Sequence, residues 1–185
     1  MRKTLFFIGP TLYGIETEPL SDEVWLPPAG QGDVLRAVLT HNPKQVVLID
    51  GTFYQTLSVW IKELLYTMAS GVRVIGASSM GAMRAAELWR YGMIGIGEIF
   101  EAYKEGSIQD DAWVAMSYDP ETFKPLTEPP CGSKQKRLDA LKAIEYARTN
   151  HDTCPILISM DELRPLFTGV LDKVLENDVL IYGGR

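Results

Sequence analysis

Val72-Arg-Val-Ile75, Gly76-Ala-Ser-Ser-Met-Gly81 and Ala82-Met-Arg-Ala-Ala-Glu-Leu-Trp89 follow one another without a break, and Gly92 closes the series. An apolar, β-branched run ends in small residues, and a serine then opens a run of helix formers. This is the pattern of strand, sharp turn and helix. Two other short apolar runs end the same way: Leu5-Phe-Phe-Ile8 before Gly9-Pro10, and Val46-Val-Leu-Ile49 before Asp50-Gly51. Near-continuous apolar strands suit a sheet covered on both faces, as parallel sheets are. Helical stretches lie between them, at 32–39 and at 55–70. The second carries Leu57, Trp60, Ile61, Leu64, Leu65 and Met68 on one stripe, with Gly71 as its stop signal. The alternation predicts an α/β fold with a small, mainly parallel sheet flanked by helices. Ligand sites in such folds lie beyond the C-terminal strand ends.

After Gly95 the pattern changes. Residues 98–104 predict a helix ending at Gly106. Ala112–Tyr118 and Phe123–Leu126 predict a hairpin around Asp119-Pro120-Glu121. Residues 127–133 read as a linker. Beyond it the periodicity predicts helices over Lys134–Arg148 and Asp161–Glu176, joined by a strand at Pro155–Ile158. The expected organisation is an α/β core over residues 1–128 and a mainly helical C-terminal extension over 129–185, packed on the core.

The chain is 46% hydrophobic with a net charge of −6, enough apolar residues for a core and the wrong sign for a nucleic-acid binder. Its one dense basic run, Lys134-Gln-Lys136-Arg137, reads as a solvated helix face. Cys131 and Cys154 form neither a zinc pattern nor a disulfide framework and read as free thiols of a reducing compartment. The apolar run at the start stops at Gly9-Pro10, too short for a signal peptide, and no stretch approaches the ~20 apolar residues of a membrane span. The expectation is a soluble, cytoplasmic protein needing no metal or cofactor and binding neither nucleic acid nor membrane.

Chemistry concentrates at Ser79. Ala77 and Gly81 flank it as small residues flank the serine of a nucleophile elbow. The helix N-terminus behind it offers free N–H groups and a positive dipole end to an oxyanion. Serine also caps helices, and by spacing alone capping is the commoner role. The phosphate-loop pattern Gly-x-x-x-x-Gly-Lys-Ser/Thr is absent. A nucleophilic Ser79 needs a base. His41 reads as a surface turn residue, His151 as a loop residue, and nothing in the sequence brings either to Ser79. Lys62, in the helix just before the Ser79 strand, is the alternative, provided burial keeps it neutral; its ordinary role would be a solvated helix lysine.

Ile49-Asp-Gly, Trp60-Ile-Lys-Glu-Leu-Leu65, the long serine-turn block from Gly71 to Leu88, Tyr91-Gly-Met-Ile-Gly-Ile-Gly-Glu-Ile-Phe100 and Gly106-Ser-Ile-Gln-Asp-Asp111 together resemble the core of the TfuA family. Pro27-Pro28 and Gly32-Asp33 extend the resemblance upstream, so that it spans roughly residues 5–118. TfuA proteins accompany YcaO enzymes, which replace a peptide-backbone oxygen by sulfur. The resemblance implies a hydrolase that releases sulfide from a thiocarboxylated, ubiquitin-fold sulfur carrier of the ThiS type, through a Ser-Lys dyad. Carried over by motif, the pair is Ser79 and Lys62. Relatives often read His-Lys-Glu where this chain has Ile61-Lys62-Glu63, and alanine where it has Ser78, which makes Ser78 a rival hydroxyl.

Expected partners are a YcaO enzyme, the ThiS-like carrier and, as a further reading, the substrate peptide. The Met80 N–H is the expected oxyanion donor, joined by an N–H from the Gly9 or Gly51 turn. Asp50, Arg84 and Glu87 are candidates to contact substrate or partner; Arg84 and Glu87 alternatively form a helix ion pair. Two other functions fit the same residues: an adaptor docking peptide onto YcaO without turnover, and an unrelated small-molecule serine hydrolase.

Overall fold

The computed structural model describes residues 2–53, 56–150, 157 and 159–167. Five short strands pair in parallel throughout: β1 (Thr4–Phe7), β2 (Glu23–Leu26), β3 (Gln45–Leu48), β4 (Arg73–Ala77) and β5 (Ile94–Ile96), in the order β2-β1-β3-β4-β5. Each parallel step needs a crossover. The crossovers carry α1 (Asp33–His41), α2 (Ile61–Ala69) and α3 (Met80–Leu88); α4 (Glu98–Glu105), α5 (Ser133–Thr149) and α6 (Met160–Phe167) follow. Three single turns of 3-10 helix lie at Pro10–Leu12, Trp89–Tyr91 and Asp111–Trp113. Among the described residues no helix is long and apolar enough to cross a membrane.

The alternation of side chains along each strand divides the core in two. Leu5, Phe7, Val46, Leu48 and Val74 face one way and pack with Val34 and Val38 of α1, Leu64, Leu65 and Met68 of α2, and Ala82, Ala85 and Leu88 of α3. Phe6, Ile8, Val47, Ile49, Ile75 and Ala77 face the other way, and Ala140, Ala143, Ile144 and Ala147 of α5 cover them. The helix placed by sequence in a C-terminal extension is thus the cover of a whole sheet face. It is tied down at its end by Arg148, whose guanidinium donates to both carboxylate oxygens of Glu23 on β2 at 2.7 and 2.9 Å.

The strands expected at 5–8, 46–49 and 72–75 are β1, β3 and β4, each within two residues of its expected bounds. Strands β2 and β5 were not expected. The helix expected over 55–70 begins only at Ile61, because Glu63 accepts the Trp60 N–H at 2.8 Å and fixes the helix start there. Glu63 is buried and also accepts from the N–H groups of Gly32 and Leu35, at 3.1 Å each, so one carboxylate serves the N-termini of α1 and α2. The expected hairpin is a turn closed by one bridge, Tyr118 to Pro125, with no strand on either side. Asp119 stabilises that turn by accepting from the N–H groups of Glu121 and Thr122, which satisfies the local backbone without a ladder. Of the strand expected at Pro155–Ile158 only Leu157 is described, exposed and outside any strand; Cys154 and the part of the expected helix beyond Phe167 lie outside the described residues.

Candidate active site

In a doubly wound sheet, ligand sites lie at the carboxyl ends of the strands, beside the point where strand order reverses. Here that point falls between β1 and β3. The chain leaves β1 at Gly9, β3 at Asp50 and β4 at Ser79. Glycines let these segments approach closely. A Cβ on Gly81 would stand 1.8 Å from the Leu48 carbonyl oxygen, and one on Gly51 would stand 2.6 Å from Met80 Cγ. The start of α3 is thereby seated directly on the ends of β3 and β4, and the Gly81 N–H donates to the Ile49 carbonyl at 3.2 Å.

The turn into α3 is strained. Ser78 takes a φ of +67°, in the left-handed region that a residue with a Cβ rarely enters. Ser78 is fully buried, and among the described residues its hydroxyl meets no hydrogen-bond partner. Ser79 occupies the N-cap position of α3, yet its side chain makes no capping hydrogen bond. Its hydroxyl is turned instead toward Lys136. The Lys136 Nζ lies 3.1 Å from Ser79 Oγ and donates to the Val114 carbonyl at 2.9 Å; that carbonyl is 3.5 Å from Ser79 Oγ.

Lys136 is completely buried, and Ser79 is 2% exposed. Burial pushes the Lys136 amine below the ordinary lysine range, against the charges of Asp50 and Glu128, which favour its protonation. Burial thus favours the neutral amine, the form that can accept a proton from a neighbouring hydroxyl.

The lysine within hydrogen-bonding reach of Ser79 is therefore Lys136, and Lys62 lies on the exposed side of α2. The reason is the pitch of α2: Glu63, Leu64 and Leu65 take its inward face, and the preceding position looks to solvent. His41 is exposed at the end of α1, and His151 lies outside the described residues.

The Gly9 N–H, expected as an oxyanion donor, is engaged by Asp50 Oδ2 at 2.9 Å. Asp50 is 1% exposed and also accepts from the Thr11 N–H at 3.0 Å and the Thr11 hydroxyl at 2.6 Å. Met80 opens α3 beside Gly51, so its N–H has no intrahelical acceptor. Arg84 Nε donates to the Val59 carbonyl at 2.8 Å, and its Nη1 pairs with Glu87 at 2.6 Å. Arg84 thus ties α3 to the segment before α2.

A cavity of about 360 Å³ adjoins the closed pair, lined by Thr52, Phe53, Thr56, Ala115, Met116, Ser117, Tyr118, Pro120 and Thr127. Its walls continue the two segments that cover the site, through Gly51–Thr52 and Val114–Ala115. Among the described residues no acidic or basic side chain lines it. Among the described residues no group of three or more His, Cys, Asp and Glu is placed to hold a metal ion.

Sequence reasoning missed Lys136 and Val114. Lys136 had a legible signal: with Ala140, Ala143, Ile144 and Ala147 it falls at i, i+4, i+7, i+8 and i+11, on the apolar stripe of α5. Val114 left no such trace, because it acts through its backbone carbonyl.

No curated protein matches this chain. The family model described as TfuA-like protein matches residues 50–157, more than half of the chain, and the match takes in Asp50, Ser79, Val114 and Lys136. This chain belongs to the TfuA-like family.

Proposed function

We propose that this protein is a serine hydrolase that releases sulfide from the thiocarboxylated C-terminus of a ubiquitin-fold sulfur carrier, in support of YcaO-dependent thioamidation of a peptide backbone. The observation that carries this reading is the buried Lys136 Nζ at 3.1 Å from Ser79 Oγ. Family membership is consistent with a role in YcaO-associated thioamidation. The pairing is with Lys136 and not with Lys62, and Ser79 acts as nucleophile with Lys136 as its base.

The reaction balances without a cofactor. Neutral Lys136 takes the Ser79 proton while Oγ bonds to the thiocarboxylate carbon. The tetrahedral oxyanion faces the Met80 N–H, with the Gly51 N–H as second donor. The C–S bond then breaks, and the proton held by Lys136 leaves with sulfur as hydrosulfide, giving a carrier acyl-serine ester. Water, deprotonated by Lys136, cleaves that ester and returns the carrier carboxylate, the Ser79 hydroxyl and one proton. Sulfide is a far better leaving group than hydroxide, so a carboxylate is not a competing substrate. The uncharged cavity beside Val114 suits a slim, extended carrier tail, and for that tail to reach Ser79 the Val114 carbonyl must move aside.

The test is incubation of purified thiocarboxylated carrier with the protein, following intact carrier mass and free sulfide. Sulfide release should be accelerated, abolished by Ser79→Ala and largely retained in Ser78→Ala, whose buried hydroxyl has no partner. Release no faster than in buffer rules the activity out. Release lost in Ser78→Ala and kept in Ser79→Ala assigns the wrong hydroxyl.

A further inference from the structure

We propose that Asp50 is a positioning residue for Lys136, its buried carboxylate stabilising the ammonium that Lys136 becomes on taking the Ser79 proton. This rests on the Ser79–Lys136 reading of the site. Asp50 leaves β3 beside the exit of β4, since Leu48 and Gly76 are register partners and the Ile49 carbonyl is bonded to Gly81. Its carboxylate is fixed by the two N–H groups and one hydroxyl of Gly9 and Thr11. Three donors and 1% exposure hold a negative charge in the core, yet among the described residues it forms no ion pair with a lysine or arginine. Its charge favours the protonated form of the buried Lys136 amine.

The other ionisable groups that bear on Lys136 do not replace it. Cys131 is a half-buried thiol that burial pushes up, so it stands neutral. Glu128 is fully exposed and engaged by the N–H and hydroxyl of Ser133. The Tyr118 phenol, pushed up by burial and by the charge of Asp50, is neutral as well. Asp139, the buried carboxylate of α5, is engaged by the Ile99 N–H, the Gln135 amide and Lys142. Of the groups that bear on Lys136, Asp50 is thus the buried anion. Proton transfer from Oγ to Nζ creates a cation in a water-poor site, and a fixed anion lowers the energy of that state without reorganising. The role parallels that of the aspartate in a Ser-His-Asp triad, which stabilises a protonated base without taking the proton.

Asp50→Asn removes the charge and keeps the hydrogen bonds. The amide oxygen can take the N–H groups of Gly9 and Thr11, and the amide NH2 can donate to the Thr11 hydroxyl, which both gives and accepts. The first measurement needs no substrate: the Lys136 side chain is titrated by NMR in the full-length wild type and in Asp50→Asn. The midpoint should move to lower pH by about one unit. The rising limb of kcat/KM against pH, set by deprotonation of Lys136, should move the same way while the plateau falls about tenfold to hundredfold. If the folded Asp50→Asn protein leaves the midpoint unmoved, the inference is overturned.

Thr11→Val supplies a second variant, keeping the charge and loosening its anchor. It should lower kcat several-fold at unchanged KM with the limb in place; a lower melting temperature with unchanged kcat overturns the inference and leaves Asp50 a strut of the β1–β3 junction. A shifted midpoint in a wild type that releases no sulfide supports the Asp50–Lys136 coupling and removes the hydrolase reading alone.

Discussion

Lys136→Met separates catalysis from architecture at the centre of the site. Methionine follows the lysine stem and fills its space with an apolar chain, so α5 keeps its packing. Two energetic changes oppose each other. Losing the Nζ donor leaves the buried Val114 carbonyl with only the long contact to the Ser79 hydroxyl, which costs about 1–3 kcal/mol. Losing the buried amine removes a proton-linkage penalty. The folded pKa of Lys136 is depressed, so between its folded value and the ordinary 10.5 the unfolded chain binds up to one more proton than the folded one. That penalty amounts to about 1.4 kcal/mol for each unit of depression. Its sign makes wild-type stability rise with pH through this window, and Lys136→Met abolishes that contribution.

The variant should therefore lie within about 2 kcal/mol of wild type at pH 7, with its relative stability falling as pH is raised toward 10.5. Sulfide release should fall about 10²- to 10⁴-fold, the range of a lost general base. Denaturant unfolding at pH 7 and pH 10, beside the sulfide assay, reads both quantities. Lys62→Met, on the exposed side of α2, is the control and should retain activity. A Lys136→Met protein with more than a tenth of wild-type activity, or a Lys62→Met protein without any, refutes the assignment of the base.

Two predictions concern the scaffold that holds the pair. Gly81→Ala drives a Cβ into the Leu48 carbonyl, 1.8 Å away, so α3 must lift off β3; the loss should reach at least about 3 kcal/mol in denaturant unfolding, with sulfide release falling alongside. Burial pushes the Glu23 carboxyl up, but hydrogen bonds from Arg148, the Leu20 N–H and the Trp25 indole outweigh it and hold it below its ordinary 4.5. Its contribution is complete above pH 4.5 and is lost as pH falls through the lower folded value. Arg148→Met should thus cost about 1–3 kcal/mol at pH 7 and flatten the acid limb of the stability curve, measured by thermal unfolding between pH 3 and 7.

Sequence alone exposed those parts of the fold whose signal is local. β1, β3 and β4 are central strands buried on both faces, and their continuous apolar runs mark them. β2 and β5 are the edge strands, only partly buried beyond Glu23, and Glu23-Val-Trp-Leu26 and Ile94-Gly-Ile96 carry no such run. Ser79 was legible because its turn is compressed by small residues whose necessity shows in the chain. The lysine beside it was not, because Lys136 stands 57 residues away and is brought in by packing on the opposite sheet face. Proximity in the chain favoured Lys62, and only the phase of α2 turns that residue outward. The carboxylate of Asp50 was legible as a candidate; its three donors across the β1–β3 junction were not, since they depend on tertiary contact.

Ser79 and Lys136 reach their meeting point from helices on opposite faces of the sheet, α3 and α5. During synthesis the serine leaves the ribosome 57 residues before the lysine that meets it. Until α5 docks, the hydroxyl lacks the buried amine that stands beside it in the folded chain. Under the proposed dyad, a chain cut short before α5 would release no sulfide from a thiocarboxylate, and the docking of that helix would be the step that switches the site on.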